Sequence, residues 1–282
     1  MTGDAMAKRK TTCPQVKKVL VLQPRDELIM VLASEFRFLS REQLQKLLDF
    51  PCVTRINIRL KKLYDHGYLS RFPLPTVAGK PKAIYYLGPQ GVPVLAEKLG
   101  LDATALEKER KQMERTASFL NHQFFLNEVR IAFSLALKNQ PQMVLERWVR
   151  DCLMEFPSSQ RKVTTLRPDG CLCLTYQCRL YSFFVEADCS TMTTGRLKAK
   201  AQAYLDYARS GQSLQDFGFQ YFRVLIITKT PARLLSLKAT IEEQTDRLFY
   251  FSTRDQVCQE PILDRIWQRA GHQGLFSLLL EG

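Results

Sequence analysis

The fold turns on residues 166–188, "LRPDGCLCLTYQCRLYSFFVEAD", and the segment at 194–204, "TGRLKAKAQAY". Two apolar runs flank a short polar break, which is the signature of a β-hairpin. Asp169 stands at the start of the first run, and Glu186 and Asp188 close the second. Antiparallel pairing sets the start of one strand beside the end of the next. Residues 186 and 188 are two apart and therefore share a face. The expectation is that all three carboxylates converge on one rim of a sheet, with Lys198 or Lys200 arriving from the following helix.

Clustered carboxylates repel one another unless a hard cation or a basic side chain answers them. Mg²⁺ prefers such oxygen ligands, and a metal held there can activate water for displacement at phosphorus. This reading makes Asp169, Glu186 and Asp188 metal ligands, and it adds Lys198 and Lys200 to the catalytic set. Plain structural roles also account for the residues. Pro168-Asp169-Gly170 is a turn sequence in which Asp169 caps the bend. Lys200 and Tyr204 suit a helix surface and a core.

Further strands are expected at "MVLERWVRD" (143–151), "YFRVLIITKT" (221–230) and "LFYFST" (248–253). Helices are expected at 194–211, at 231–248 and at "ILDRIWQRAG" (262–271). These define an α/β domain with a mixed sheet over 141–282.

Upstream the pattern changes. "RDELIMVLASEF" (25–36) and "LSREQLQKLLDF" (39–50) have apolar residues at helical spacing, and Ser40 with Gln43 forms a capping-box pattern. "CVTRINIRLKKLYDHG" (52–67) follows, with Ile56, Leu60 and Leu63 on one face. Thr54, Ile58 and Lys61 face away from that stripe, and Arg55, Arg59 and Lys62 lie along its flank. Thr54 is read as an N-cap or a phosphate contact. "YLSRFPL" (68–74) and "AIYYLG" (83–88) are short strands joined by a loop carrying Lys80 and Lys82. Three helices and a two-stranded wing make a winged helix-turn-helix over 21–100, with the third helix in the major groove of double-stranded DNA.

Charge supports that placement. Residues 1–100 hold 17 Lys+Arg against 8 Asp+Glu, whereas residues 101–282 hold 24 against 20. The basic half is the one suited to a polyanion. Residues 1–20 read as a disordered basic lead-in. Residues 101–140 read as a helical linker broken near 115–120, a segment able to support a homodimer. His122 in that linker is read as a packing histidine without a carboxylate partner. The eight cysteines include no CxxC pair and serve as small core hydrophobes in a reducing cytoplasm. No apolar run reaches the roughly 20 residues a membrane span needs, and the N-terminus lacks the apolar region of a secretory signal.

Arg167-Pro168-Asp169 followed by Glu186-Ala187-Asp188 resembles the core of the PD-(D/E)XK nuclease superfamily. The fuller set is similar to the replication-relaxation family of bacterial plasmids and mobile elements. That set is an N-terminal winged helix, His122 with Asn127, the "RPD" strand, Glu186-x-Asp188-x-x-Thr191, and Lys200 with Tyr204. The resemblance covers about residues 25–255. It implies an α+β protein, a restriction-endonuclease-like second domain, and a DNA-linked role in replication or mobilisation beside other mobile-element proteins. One position departs from the nuclease pattern, because Asp188 stands where the superfamily places Lys. Three functions follow: a DNA-binding protein with a nuclease-like scaffold, a Mg²⁺-dependent endonuclease using a migrated Lys198 or Lys200, or a repressor that dimerises through its second domain.

Overall fold

A computed structural model describes residues 20–74, 82–111, 117–138, 140–157, 163–190 and 192–279. The basic lead-in up to residue 19, Lys80 in the wing loop and Thr191 lie outside them. The chain divides into two compact units, one of residues 1–41 and 50–111 and the other of residues 42–49 and 112–282.

The first unit contains α1 (Pro24–Glu35), β1 (Leu39–Ser40), α3 (Val53–Asp65), β2 (Leu69–Leu74), β3 (Lys82–Leu87), α4 (Gly91–Leu99) and α5 (Ala103–Lys111); α2 (Arg41–Leu47) falls between β1 and α3. The strands form an antiparallel sheet in the order β1-β3-β2. Ile29, Met30 and Ala33 of α1, Ile56, Leu60 and Leu63 of α3, and Leu69 and Ile84 of the hairpin are buried at 0–1% exposure. The spacing of the apolar residues on α3 is what drives it onto the hairpin. α3 starts one residue before Thr54, with Cys52 as an N-cap that makes no side-chain capping bond. Thr54 therefore lies inside the first turn and is not the cap. At the other end Gly67 adopts φ 77°, a left-handed turn that costs glycine nothing.

The second unit begins with α6 (Ala117–Lys138). It continues through β4 (Met143–Arg150), β5 (Met154–Pro157), β6 (Val163–Leu166), β7 (Gly170–Tyr176), β8 (Arg179–Asp188), α7 (Thr194–Ser210), α8 (Gln212–Phe217), β9 (Arg223–Thr228), α9 (Pro231–Glu242), β10 (Phe249–Thr253), α10 (Arg254–Gln259) and β11 (Gln268–Arg269). Six strands form one mixed sheet in the order β11-β10-β9-β8-β7-β4. β7 is antiparallel to both β4 and β8, whereas β8, β9 and β10 run parallel. The protein is thus α+β with a mixed sheet.

Alternation along β8 sorts its side chains between two cores. Phe183, Val185 and Ala187 enter a core with Phe125, Val129 and Phe133 of α6 and with Trp267. Phe184 enters the opposite core with Tyr204 and Tyr207 of α7 and Leu234 and Leu237 of α9. Glu186 and Asp188 share the parity of Phe184 and so lie under α7 and α9.

Three expectations are corrected. The apolar stretch that opens at Leu166 does not run on through Pro168 as one strand, because Pro168 lacks a ladder N–H: Leu166 ends β6, which leaves the main sheet and pairs with β5, and Gly170 begins β7. The helix expected at 262–271 is absent. Instead β11 pairs with β10, and the indole N–H of Trp267 donates to the Ile262 carbonyl at 2.7 Å, which ties down a chain that has to cover the sheet edge. The cysteines divide: Cys152, Cys171 and Cys173 are core residues, but Cys52, Cys178 and Cys258 are exposed.

Candidate functional site

Asp169 is held at the rim by the strand beside it. Its backbone N–H donates to the Val185 carbonyl at 3.1 Å. Its Oδ2 accepts the Ala187 N–H at 2.8 Å and lies 3.0 Å from His122 Nε2. His122 belongs to α6, and its carboxylate partner corrects the reading of it as a merely packing residue. The hydrogen bond to Asp169 raises the imidazole above its ordinary value, against the opposing effect of burial. This pair is only part-buried, with 34% of the histidine side chain and 21% of the aspartate exposed.

Beneath it lies Glu186, 4% exposed. Lys200 and Tyr204 are four apart on α7 and so present one face to β8. Lys200 Nζ donates to Glu186 Oε2 at 2.5 Å, and the Tyr204 hydroxyl donates to Oε1. Burial pushes the Glu186 carboxyl up to about 7, with Asp169 adding to the effect and Lys200 opposing it. Burial also works to lower Lys200, but the charges of Glu186 and Asp169 hold it above its usual value. Lys200 therefore stays an ammonium, and Glu186 is the group that titrates near neutrality. Tyr204, lifted well above the ordinary phenol value chiefly by burial, stays a donor.

Asp188 shares the Glu186 face but has another partner. Arg233 of α9 grips both its oxygens, Nε at 2.8 Å and Nη2 at 3.2 Å, and also donates to the Met192 carbonyl at 2.6 Å. Lys198 is turned away from the rim and pairs with Glu243 at 2.5 Å. Asn127 is buried on α6 and accepts from Gln123 at 3.1 Å.

The expected set is thus only partly brought together. Asp169, Glu186 and Lys200 form one cluster, joined by His122 and Tyr204. Asp188 is answered by Arg233, and Lys198 is elsewhere. Among the described residues no group of three His, Cys, Asp or Glu is placed to hold a metal ion. Both oxygens of Glu186 and both of Asp188 are taken by protein donors. The space between Glu186, Asp188, Lys200 and Tyr204 is about 10 Å³, room for about one water. As arranged, the set does not fit Mg²⁺, which binds octahedrally and retains several waters. What the cluster can do is hold and move protons: a part-buried His–Asp pair sits beside a carboxylate that burial lifts to about 7.

Arg233 could not be found from sequence. It lies 45 residues beyond Asp188, and only the packing of α9 against the sheet joins them. His122 is 47 residues before Asp169, and the one signal for it was the histidine–asparagine spacing on its helix.

In the first unit, Thr54, Arg55, Ile58, Lys61 and Lys62 are exposed on α3, as is Lys82 at the start of β3. Lys61 pairs with Asp65 at 2.6 Å. Arg59 is a correction. Its guanidinium bonds both oxygens of Asp26, a carboxylate of α1 with 0% exposure, so it closes the core and does not face outward.

The family model described as replication-relaxation matches residues 31–220. No curated protein matches the chain. Among solved structures, restriction endonuclease FokI aligns at 14% identity and a TM-score of 0.30, over 83% of this chain and 43% of that one. The chain spans less than half of that protein, and at this TM-score the likeness carries no weight for function.

Proposed function

The chain belongs to the replication-relaxation family, and we propose that it binds double-stranded DNA of a bacterial plasmid or other mobile element, in replication or mobilisation. In this reading the first unit is a winged helix-turn-helix and the second a restriction-endonuclease-like scaffold. The observation that carries it is the two-sided chemistry of α3. Ile56, Leu60 and Leu63 are at 0% exposure, while Arg55, Ile58, Lys61 and Lys62 face solvent. A groove-reading helix needs one face in the core and short polar or basic side chains on the other. The basic excess of residues 1–100 supplies the long-range attraction.

The second unit contributes position and proton chemistry in this proposal, and cleavage through Mg²⁺ is no part of it. Asp169, Glu186 and Asp188 are already answered by His122, Lys200 and Arg233.

Two measurements test the reading. Duplex binding by fluorescence anisotropy across a salt series should weaken steeply with salt. Arg55→Ala and Lys62→Ala should each flatten the log–log slope by about 1; an unchanged slope refutes the α3 interface. A nicking assay on supercoiled DNA with Mg²⁺ or Mn²⁺ should show no cutting. Metal-dependent cutting that disappears in Asp169→Ala and Glu186→Ala would overturn the reading of the centre.

A further inference from the structure

At the opposite end of β8 from Glu186 lies a second cavity, of about 290 Å³. The starts of β8 and β9 wall it, with Arg179, Leu180, Tyr221 and Arg223 among its lining. Tyr221 is 80% exposed and Leu180 50% exposed, so apolar surface and charge stand together at this cavity. Tyr221 precedes two residues that are held firmly. Phe222 is buried at 5% exposure, and Arg223 is the first residue of β9.

The two guanidiniums have no carboxylate partner among the described residues. Arg179 is exposed, directly after the turn at Gln177 and Cys178. Arg223 is fixed in place: it donates through Nη1 to the Leu278 carbonyl and stacks over Tyr250 and Tyr181, 5.4 and 6.0 Å from their ring centroids. A cation held by a carbonyl and two aromatic faces keeps its full charge and loses little freedom on meeting an anion. An exposed ring beside this fixed cation and the exposed Arg179 matches the parts of a single-stranded nucleic-acid site, in which bases stack on aromatics and basic groups follow the phosphates.

We propose that this cavity binds a nucleotide unit of single-stranded DNA, its base against Tyr221 and its phosphate between Arg179 and Arg223. The site uses no residue of α3 and none of the His122–Asp169 cluster. It gives the second unit a hold on a displaced strand.

The test uses the full chain and a fluorescein-labelled oligo-dT, read by anisotropy beside a labelled duplex. Tyr221→Ala and Arg179→Glu alter exposed side chains, so the fold should tolerate them; unchanged circular dichroism and melting check this. Each should weaken oligo-dT binding by about tenfold or more and leave duplex binding unchanged. Wild-type oligo-dT affinity in both variants would overturn the proposal, as would an equal loss for oligo-dT and duplex. Competition identifies the source of the ligand. Displacement by dTMP but not by inorganic phosphate at the same concentration supports a nucleotide unit. Equal displacement by the two would refute stacking on Tyr221.

Discussion

Replacing Lys200 by Met should destabilise the second unit, and by an amount that depends on pH. The substitution keeps most of the side-chain volume and removes the ammonium that meets Glu186 Oε2. Glu186 is then a buried carboxylate with only the Tyr204 hydroxyl donating to it. Breaking one side of a buried pair costs about 3–5 kcal/mol when the charge left behind cannot be neutralised. Glu186 can be neutralised, because burial already lifts it to about 7, and without Lys200 it rises further.

The direction with pH follows from that rise. A carboxyl raised in the folded state stabilises fully below its unfolded value, and that contribution is lost as pH climbs through the folded one. In the wild-type protein the loss is complete a little above 7. In the variant it continues upward at about 1.4 kcal/mol per pH unit. Between about pH 7 and about pH 8.5 the variant should therefore lose more stability than the wild type, by up to about 1.4 kcal/mol for each pH unit. Urea unfolding followed by tryptophan fluorescence isolates the relevant unit, because both tryptophans, Trp148 and Trp267, lie in it. Adding Glu186→Gln to Lys200→Met should abolish the pH dependence. A destabilisation equal at both ends of that range would refute the assignment of Glu186 as the titrating group.

Arg59→Ala leaves Asp26 buried without its guanidinium and should destabilise the first unit by about 3–5 kcal/mol, measured by thermal melting; Lys62→Ala should leave the melt unchanged. Arg233→Ala should cost a similar amount in the second unit by stranding Asp188, and Asp188→Asn with Arg233→Met should recover much of it in urea unfolding. The His122 imidazole should titrate above its ordinary value by NMR and fall back toward about 6.5 in Asp169→Asn. Its raised value stabilises below about 6.5, and that contribution is lost as pH rises through the folded value; an unshifted imidazole would remove the Asp169 bond from the site.

The sequence alone determined the elements whose physics is local. The stripe at Ile56, Leu60 and Leu63 made α3, Gly67 ended it, and alternation through Phe183–Asp188 put Glu186 and Asp188 on one face. The four-residue spacing of Lys200 and Tyr204 put both on one face of α7. Tertiary structure decided what those side chains met, because partners distant in the chain are chosen by packing and not by spacing. The arrangement of α9 over the sheet delivered Arg233 to Asp188 and broke up the expected acidic triad. The course of α6 brought His122 to Asp169, and α1 drew Arg59 inward to Asp26. Charged residues at outward or rim positions look alike in sequence; the nearest buried counter-charge decides which of them stay free, and only the folded chain specifies that counter-charge.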